Sequence, residues 1–166
     1  GRCEIMTSTD HLAEVERQIR GSEVLESCLL TRLHEALNSE IVLGSVTTVA
    51  DAVLWFMRSF CFIRMGRNPE HYGVPPAAAF TRERLTSHVE VVVRRHVEEL
   101  VAGRLVRLGP PDPRQGVVHA SPTVHAEEPA RLMSFSYLSF PTMRLATTYE
   151  GSGSVSALVD LLAHAE

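Results

Sequence analysis

Residues 55–73 read WFMRSFCFIRMGRNPEHYG, an apolar run of helix length that ends at Arg67-Asn68-Pro69 and then Tyr72-Gly73. Carried back to Val49, the run predicts a single helix over residues 49–66. Asp51 and Arg58 give it only a narrow polar stripe, because residues seven apart lie two turns apart on one face. A helix apolar on nearly every side is a buried one, so Trp55 reads as core rather than as a platform for a base. Asn68-Pro69 stops the helix, since proline removes a donor and disfavours helical geometry in the residue before it.

Working outward, residues 2–7 read as a short strand, and Thr9-Asp10 caps a helix with Leu12, Val15 and Ile19 on one face. Gly21-Ser22 breaks it. Residues 23–38 repeat Leu25, Leu29, Leu33, Ala36 and Leu37 at helical spacing, and Ile41-Val42-Leu43-Gly44 closes that helix. Beyond the Pro75-Pro76 loop, Thr81 caps a third helix with Leu85, Val89, Val93, Val97 and Leu100 on its apolar face, and Gly103 fits a left-handed position after it. Residues 105–108, a Pro/Gly turn over 109–116 and residues 117–120 then read as a hairpin. Three helices followed by a two-stranded wing is the order of a winged helix. Helices over 129–138 and 141–149 follow, then a joint at Gly151-Ser152-Gly153 and a terminal helix whose face of Val155, Leu158, Val159, Leu161 and Leu162 needs a partner. The chain reads as mainly α.

Composition limits the chemistry. A net charge of −4 gives no overall attraction for nucleic acid, so any such contact must come from a local patch or a neighbouring domain. All 16 basic residues are arginine; without lysine there is no Walker-type phosphate loop in these residues. Cys3, Cys28 and Cys61 lie far apart with no ligand spacing, which reads as free thiols in a reducing compartment. Asp51, Arg58 and Arg64 interrupt the longest apolar run too often for a membrane span, so a soluble intracellular protein is expected. His88 and His96 stand more than two helical turns apart, too far for one zinc. Ser87, His88 and Asp51 lack a nucleophile elbow, and no catalytic residue or metal ligand is assigned. Gly1 at the start and the uncovered terminal helix point to a piece of a longer polypeptide.

Glu26-Ser27, then LHEALNSEI over residues 33–41 with Asn38 and Glu40, Leu43-Gly44, Trp55, Arg64-Met65, Asn68-Pro69 and Tyr72-Gly73 are a set. Together they resemble the region just downstream of the motor in superfamily 2 helicases of the large processive group, which contains the archaeal repair helicase and the spliceosomal unwinding helicase. His71, Arg131-Leu132-Met133, Tyr137-Leu138-Ser139-Phe140 and Thr142-Met143 resemble most its branch of meiotic crossover-promoting DNA helicases. The resemblance implies three parts: a remnant of the second RecA-like domain over residues 1–20, a winged helix over 21–122 and the start of a helical bundle over 123–166. It implies a nuclear parent protein that unwinds DNA from 3′ to 5′ with ATP and Mg2+, its winged helix bracing RecA-like motor domains of the same polypeptide. These residues would carry no cofactor and no catalysis of their own.

Arg64, Arg67, Arg94 and Arg95 are the clustered arginines able to reach phosphate. The helix bearing Arg94 and Arg95 also carries Glu83, Glu90, Glu98 and Glu99, which favours an ion-pair face over reading of base edges. Two alternatives stand beside the helicase segment: a free-standing winged-helix module for nucleic acid or protein, and the equivalent segment of an RNA-remodelling helicase of the spliceosomal type.

Overall fold

One hydroxyl side chain starts the apolar run and a second divides it. Thr48 accepts from the backbone of Asp51 while the Asp51 carboxylate accepts from the backbone of Thr48, a reciprocal capping box that starts a helix over Val49–Met57. Ser59 then takes an extended conformation and accepts from the backbone N–H of Phe62, starting a second helix over Phe60–Arg67. The single helix expected over 49–66 is therefore two. A serine hydroxyl offers the backbone an alternative to a continuous ladder, and here it wins.

The computed structural model describes residues 3–21, 24–79, 81–111, 121–149 and 163. Its helices are α1 (Leu12–Ile19), α2 (Leu33–Leu43), α3 (Val49–Met57), α4 (Phe60–Arg67), α5 (Pro76–Ala79), α6 (Arg82–Ala102), α7 (Glu128–Phe135) and α8 (Phe140–Thr148). Between α6 and α7 lies a wing of two antiparallel strands, β1 (Val106–Pro111) and β2 (Pro122–Ala126), with Val106 opposite Ala126 and Leu108 opposite Val124. The architecture is mainly α with a winged helix, as the sequence pattern implies.

One core serves α2, α3, α4, α6, α7, α8 and both strands. Leu33, Leu37 and Ile41 of α2 meet Ala52 and Phe56 of α3 and the α6 row Leu85, Val89, Val93, Val97 and Leu100, while Val106, Val124, Met133, Phe140 and Met143 close the cluster from the wing, α7 and α8. The wing is fastened to the start of α3: the backbone N–H of Val124 donates to Thr47 at 2.9 Å, and that of Ala50 to the Ser121 hydroxyl at 3.0 Å.

Several expectations are corrected. The break at Ser59 turns Leu54, Phe60 and Ile63 outward, each about half exposed, and leaves Trp55 half-buried against the core instead of fully shielded. Residues 24–28 are not helical; their backbone and the Glu26 side chain are drawn to the α4 end, and α2 begins only after a 3-10 turn over Leu29–Arg32. Residues 3–8 form no strand, because no described strand lies beside them to pair. The return strand of the wing is Pro122–Ala126; the expected one, at 117–120, lies outside the described residues, as do the joint at 151–153 and the terminal helix over 155–162. After α6 the left-handed residue is Arg104, with φ 58°, while Gly103 has an ordinary φ of −75°. Gly103 is needed for space: a Cβ there would lie 2.9 Å from Leu105 Cδ1 and 3.3 Å from Phe140 Cε2.

Candidate functional site

The end of α4 sets up the most elaborate polar arrangement in the described residues. Arg64 and Asn68 are four apart and share a face. Pro69 opens a 3-10 turn over Glu70–Tyr72, and Gly73, with φ 64°, reverses the chain so that the N–H of Val74 donates back to the Pro69 carbonyl at 2.9 Å. That reversal brings the Tyr72 hydroxyl beside Arg64 and Asn68, and all three converge on Glu26.

The Glu26 carboxylate is held bidentately by Arg64, Nε to Oε2 at 3.0 Å and Nη2 to Oε1 at 2.7 Å. Asn68 Nδ2 donates to Oε1 at 2.8 Å, and the Tyr72 hydroxyl donates to Oε2 at 2.8 Å. Tyr72 also accepts the backbone N–H of Ser27 at 2.7 Å, so its hydroxyl is used in both directions. The hydrogen bond from Arg64, with those of Asn68 and Tyr72, holds the Glu26 carboxyl well below the usual carboxylate range against the opposing effect of desolvation. Glu26 in turn raises Arg64 further. Burial, with the neighbouring carboxylate, raises Tyr72. A permanently ionised carboxylate saturated with donors is no general acid or base; it is a clasp between the chain entering the domain and the α4 turn.

The remaining signature positions lie elsewhere on the same scaffold. Asn38 is fully buried on α2, and its Nδ2 donates to the Ala130 carbonyl and the Ser134 hydroxyl of α7, each at 2.8 Å. Glu40 accepts from the Ser45 hydroxyl after the turn at Gly44, whose φ is 78°. Trp55 packs against the core, and Pro69 and Gly73 shape the clasp's turn. Of the arginines picked out for phosphate, Arg64 has its guanidinium engaged by Glu26, and Arg67 is exposed at the end of α4. Arg94 pairs with Glu90 and Arg95 with Glu99, each at 2.9 Å.

Sequence reasoning missed a second cluster. His34 stacks on Phe140 with ring centroids 4.0 Å apart, lies 4.5 Å from the His96 ring and reaches Glu99 Oε2 at 2.6 Å, while Glu35 Oε1 accepts the N–H of Phe140 at the start of α8. Residues 34, 96 and 140 share no local pattern; only the packing of α2, α6 and α8 joins them. Among the described residues no group of three His, Cys, Asp or Glu is placed to hold a metal, and no helix is long and apolar enough to cross a membrane.

Known proteins show the same segment. The family of winged helix-turn-helix domains matches residues 26–109. The chain is 30% identical over its whole length to the ATP-dependent DNA helicase homolog MER3 of Arabidopsis thaliana, spanning 14% of that protein. It is 30% identical over 96% of its length to the probable ATP-dependent DNA helicase HFM1 of Homo sapiens, spanning 10% of it. A third relative, activating signal cointegrator 1 complex subunit 3 of Dictyostelium discoideum, is 29% identical over 84% of the chain and is spanned to 6%. The family match begins at Glu26, the acceptor of the clasp, and runs into the first wing strand: the chain belongs to the winged helix-turn-helix family of the large superfamily 2 helicases.

Proposed function

We propose that the chain is the non-catalytic bracing segment of an ATP-dependent DNA helicase, which unwinds duplex or branched DNA from 3′ to 5′ in the nucleus during meiotic recombination and crossover formation. Its partners are RecA-like motor domains of the same polypeptide, and it meets DNA through them. ATP and Mg2+ serve the motor; the chain itself has no lysine and no phosphate-binding loop.

The observation that carries this reading is the Glu26 clasp. It fastens residues 26 and 27, the entry to the winged helix, to Arg64 and Asn68 at the end of α4 and to Tyr72 in the turn after it, with α2 and α3 between them in the chain. A brace transmits a motor's movement only if its point of attachment does not yield, and a charge-assisted carboxylate with several donors meets that need.

The test is made in the full-length helicase with Glu26→Gln, recording DNA-stimulated ATP hydrolysis and unwinding of a forked duplex. Hydrolysis is expected to persist while unwinding per ATP falls. Unwinding that is unchanged in a clasp variant, or hydrolysis that responds to RNA and not to DNA, overturns the proposal.

A further inference from the structure

The break between α3 and α4 leaves a groove between α4 and the start of α6, about 630 Å3 in volume. That volume falls within the range of about 300–1,000 Å3 common to binding clefts. Met57, Ile63 and Leu85 form its apolar wall, and Arg58 and Arg82 stand at its edge. Ile63 is half exposed. Both arginines are exposed, and among the described residues neither guanidinium has an ion-pair or hydrogen-bond partner. Gly66, inside α4, has no positive φ, and a Cβ there would meet only Leu85 Cδ2, at an ordinary 3.5 Å. Neither backbone conformation nor crowding explains a residue that costs a helix about 0.5–1 kcal/mol relative to alanine. Gly66 lines the groove, and a larger side chain there would take up part of its space.

We propose that this groove docks a polypeptide segment in which large apolar side chains are flanked by carboxylates. The apolar wall takes the former and the two free guanidiniums the latter. A second copy of the chain would set arginine against arginine across a twofold contact. Single-stranded nucleic acid finds no exposed aromatic face in the groove, since Phe62 is buried. The inference goes beyond the bracing role, and its test involves neither motor nor ATP, so either can fail without the other.

The 166-residue chain is titrated by fluorescence anisotropy with the labelled peptide EDLFDLE, its charge-reversed counterpart KKLFKLK and labelled oligothymidylate. Arg58→Glu, Arg82→Glu and Gly66→Leu are measured beside it, their folding checked by circular dichroism. Gly66→Leu fills the groove without touching charge, and so separates docking from general attraction. The acidic peptide is expected to bind, and each variant to weaken it about tenfold or more, equivalent to about 1.4 kcal/mol. Absence of binding, equal binding of the basic peptide, indifference to Gly66→Leu, displacement by oligothymidylate, or self-association abolished by Gly66→Leu each overturns the proposal.

Discussion

Arg64 and Glu26, 38 positions apart in the chain, meet as a two-point ion pair with contacts of 2.7 and 3.0 Å, and the pair is largely shielded from solvent. The carboxyl is held far below its ordinary value of 4.5, chiefly by the hydrogen bond from Arg64. A carboxyl lowered in the folded state binds fewer protons there than in the unfolded chain, so its contribution is complete above pH 4.5 and is lost as pH falls through the lowered value. Glu26→Gln is therefore expected to lower the urea midpoint at neutral pH, with a difference from the parent chain that shrinks as pH drops below 4.5. A difference that stays constant with pH would show that the charge of Glu26 contributes nothing.

The helix order, the cap at Thr81 and the placing of a wing after α6, though not the bounds of its return strand, were legible because each rests on local pattern: α6 keeps its apolar residues at helical spacing from Leu85 to Leu100 and buries that row. The break at Ser59 was not legible, since the apolar residues on both sides of it read as one face and one serine decides the geometry. Glu26, Arg64, Asn68 and Tyr72 were each picked out by resemblance, yet their convergence depends on Gly73 reversing the chain and on residues 24–28 leaving the helix, both of which are tertiary facts. The His34 cluster had no sequence signal at all, because it joins three helices at residues 34, 96 and 140.

Thr48 serves two elements at once. Its hydroxyl caps α3 by accepting from Asp51, and its backbone bridges to Thr123 at the base of the wing. Hydrogen bonds from Thr47 and Thr48 keep the Asp51 carboxyl low despite the opposing effect of burial. Thr48→Ala should cost about 0.5–2 kcal/mol, the usual worth of such a cap, by chemical denaturation. Thr48→Ser, which keeps the oxygen, should recover most of it; failure to do so would assign the loss to packing.

Asn38 joins α2 to α7 from a fully buried position, donating to Ala130 and Ser134 while its own Oδ1 has no partner. Asn38→Ala takes a donor from the carbonyl of buried Ala130 and leaves the half-buried Ser134 hydroxyl with Ser39 as its side-chain partner, a loss of about 1–3 kcal/mol. Asn38→Asp should be worse, because it faces the Ala130 carbonyl with acceptors and places a carboxyl out of water. Denaturation curves in which the aspartate variant matches or exceeds the alanine variant would rule out the donor role of Nδ2.

His34 gives the chain a second acid-sensitive point in a different window. Burial, reinforced by the charge of His96, lowers its imidazole below 6.5 and outweighs the opposing pull of Glu99 and Glu35. The folded state thus binds the proton less readily than the unfolded chain, and the stability His34 supplies is complete above pH 6.5 and declines as pH falls through the lowered value. The carboxyl of Glu99 is itself lowered from 4.5, so its own loss comes further down the scale. His34→Gln keeps a donor for Glu99 but cannot titrate. Between pH 6.5 and 4.5 the thermal midpoint of the parent chain should fall more than that of the glutamine variant. Parallel curves across that window would mean that protonation of His34 leaves the junction of α2, α6 and α8 undisturbed.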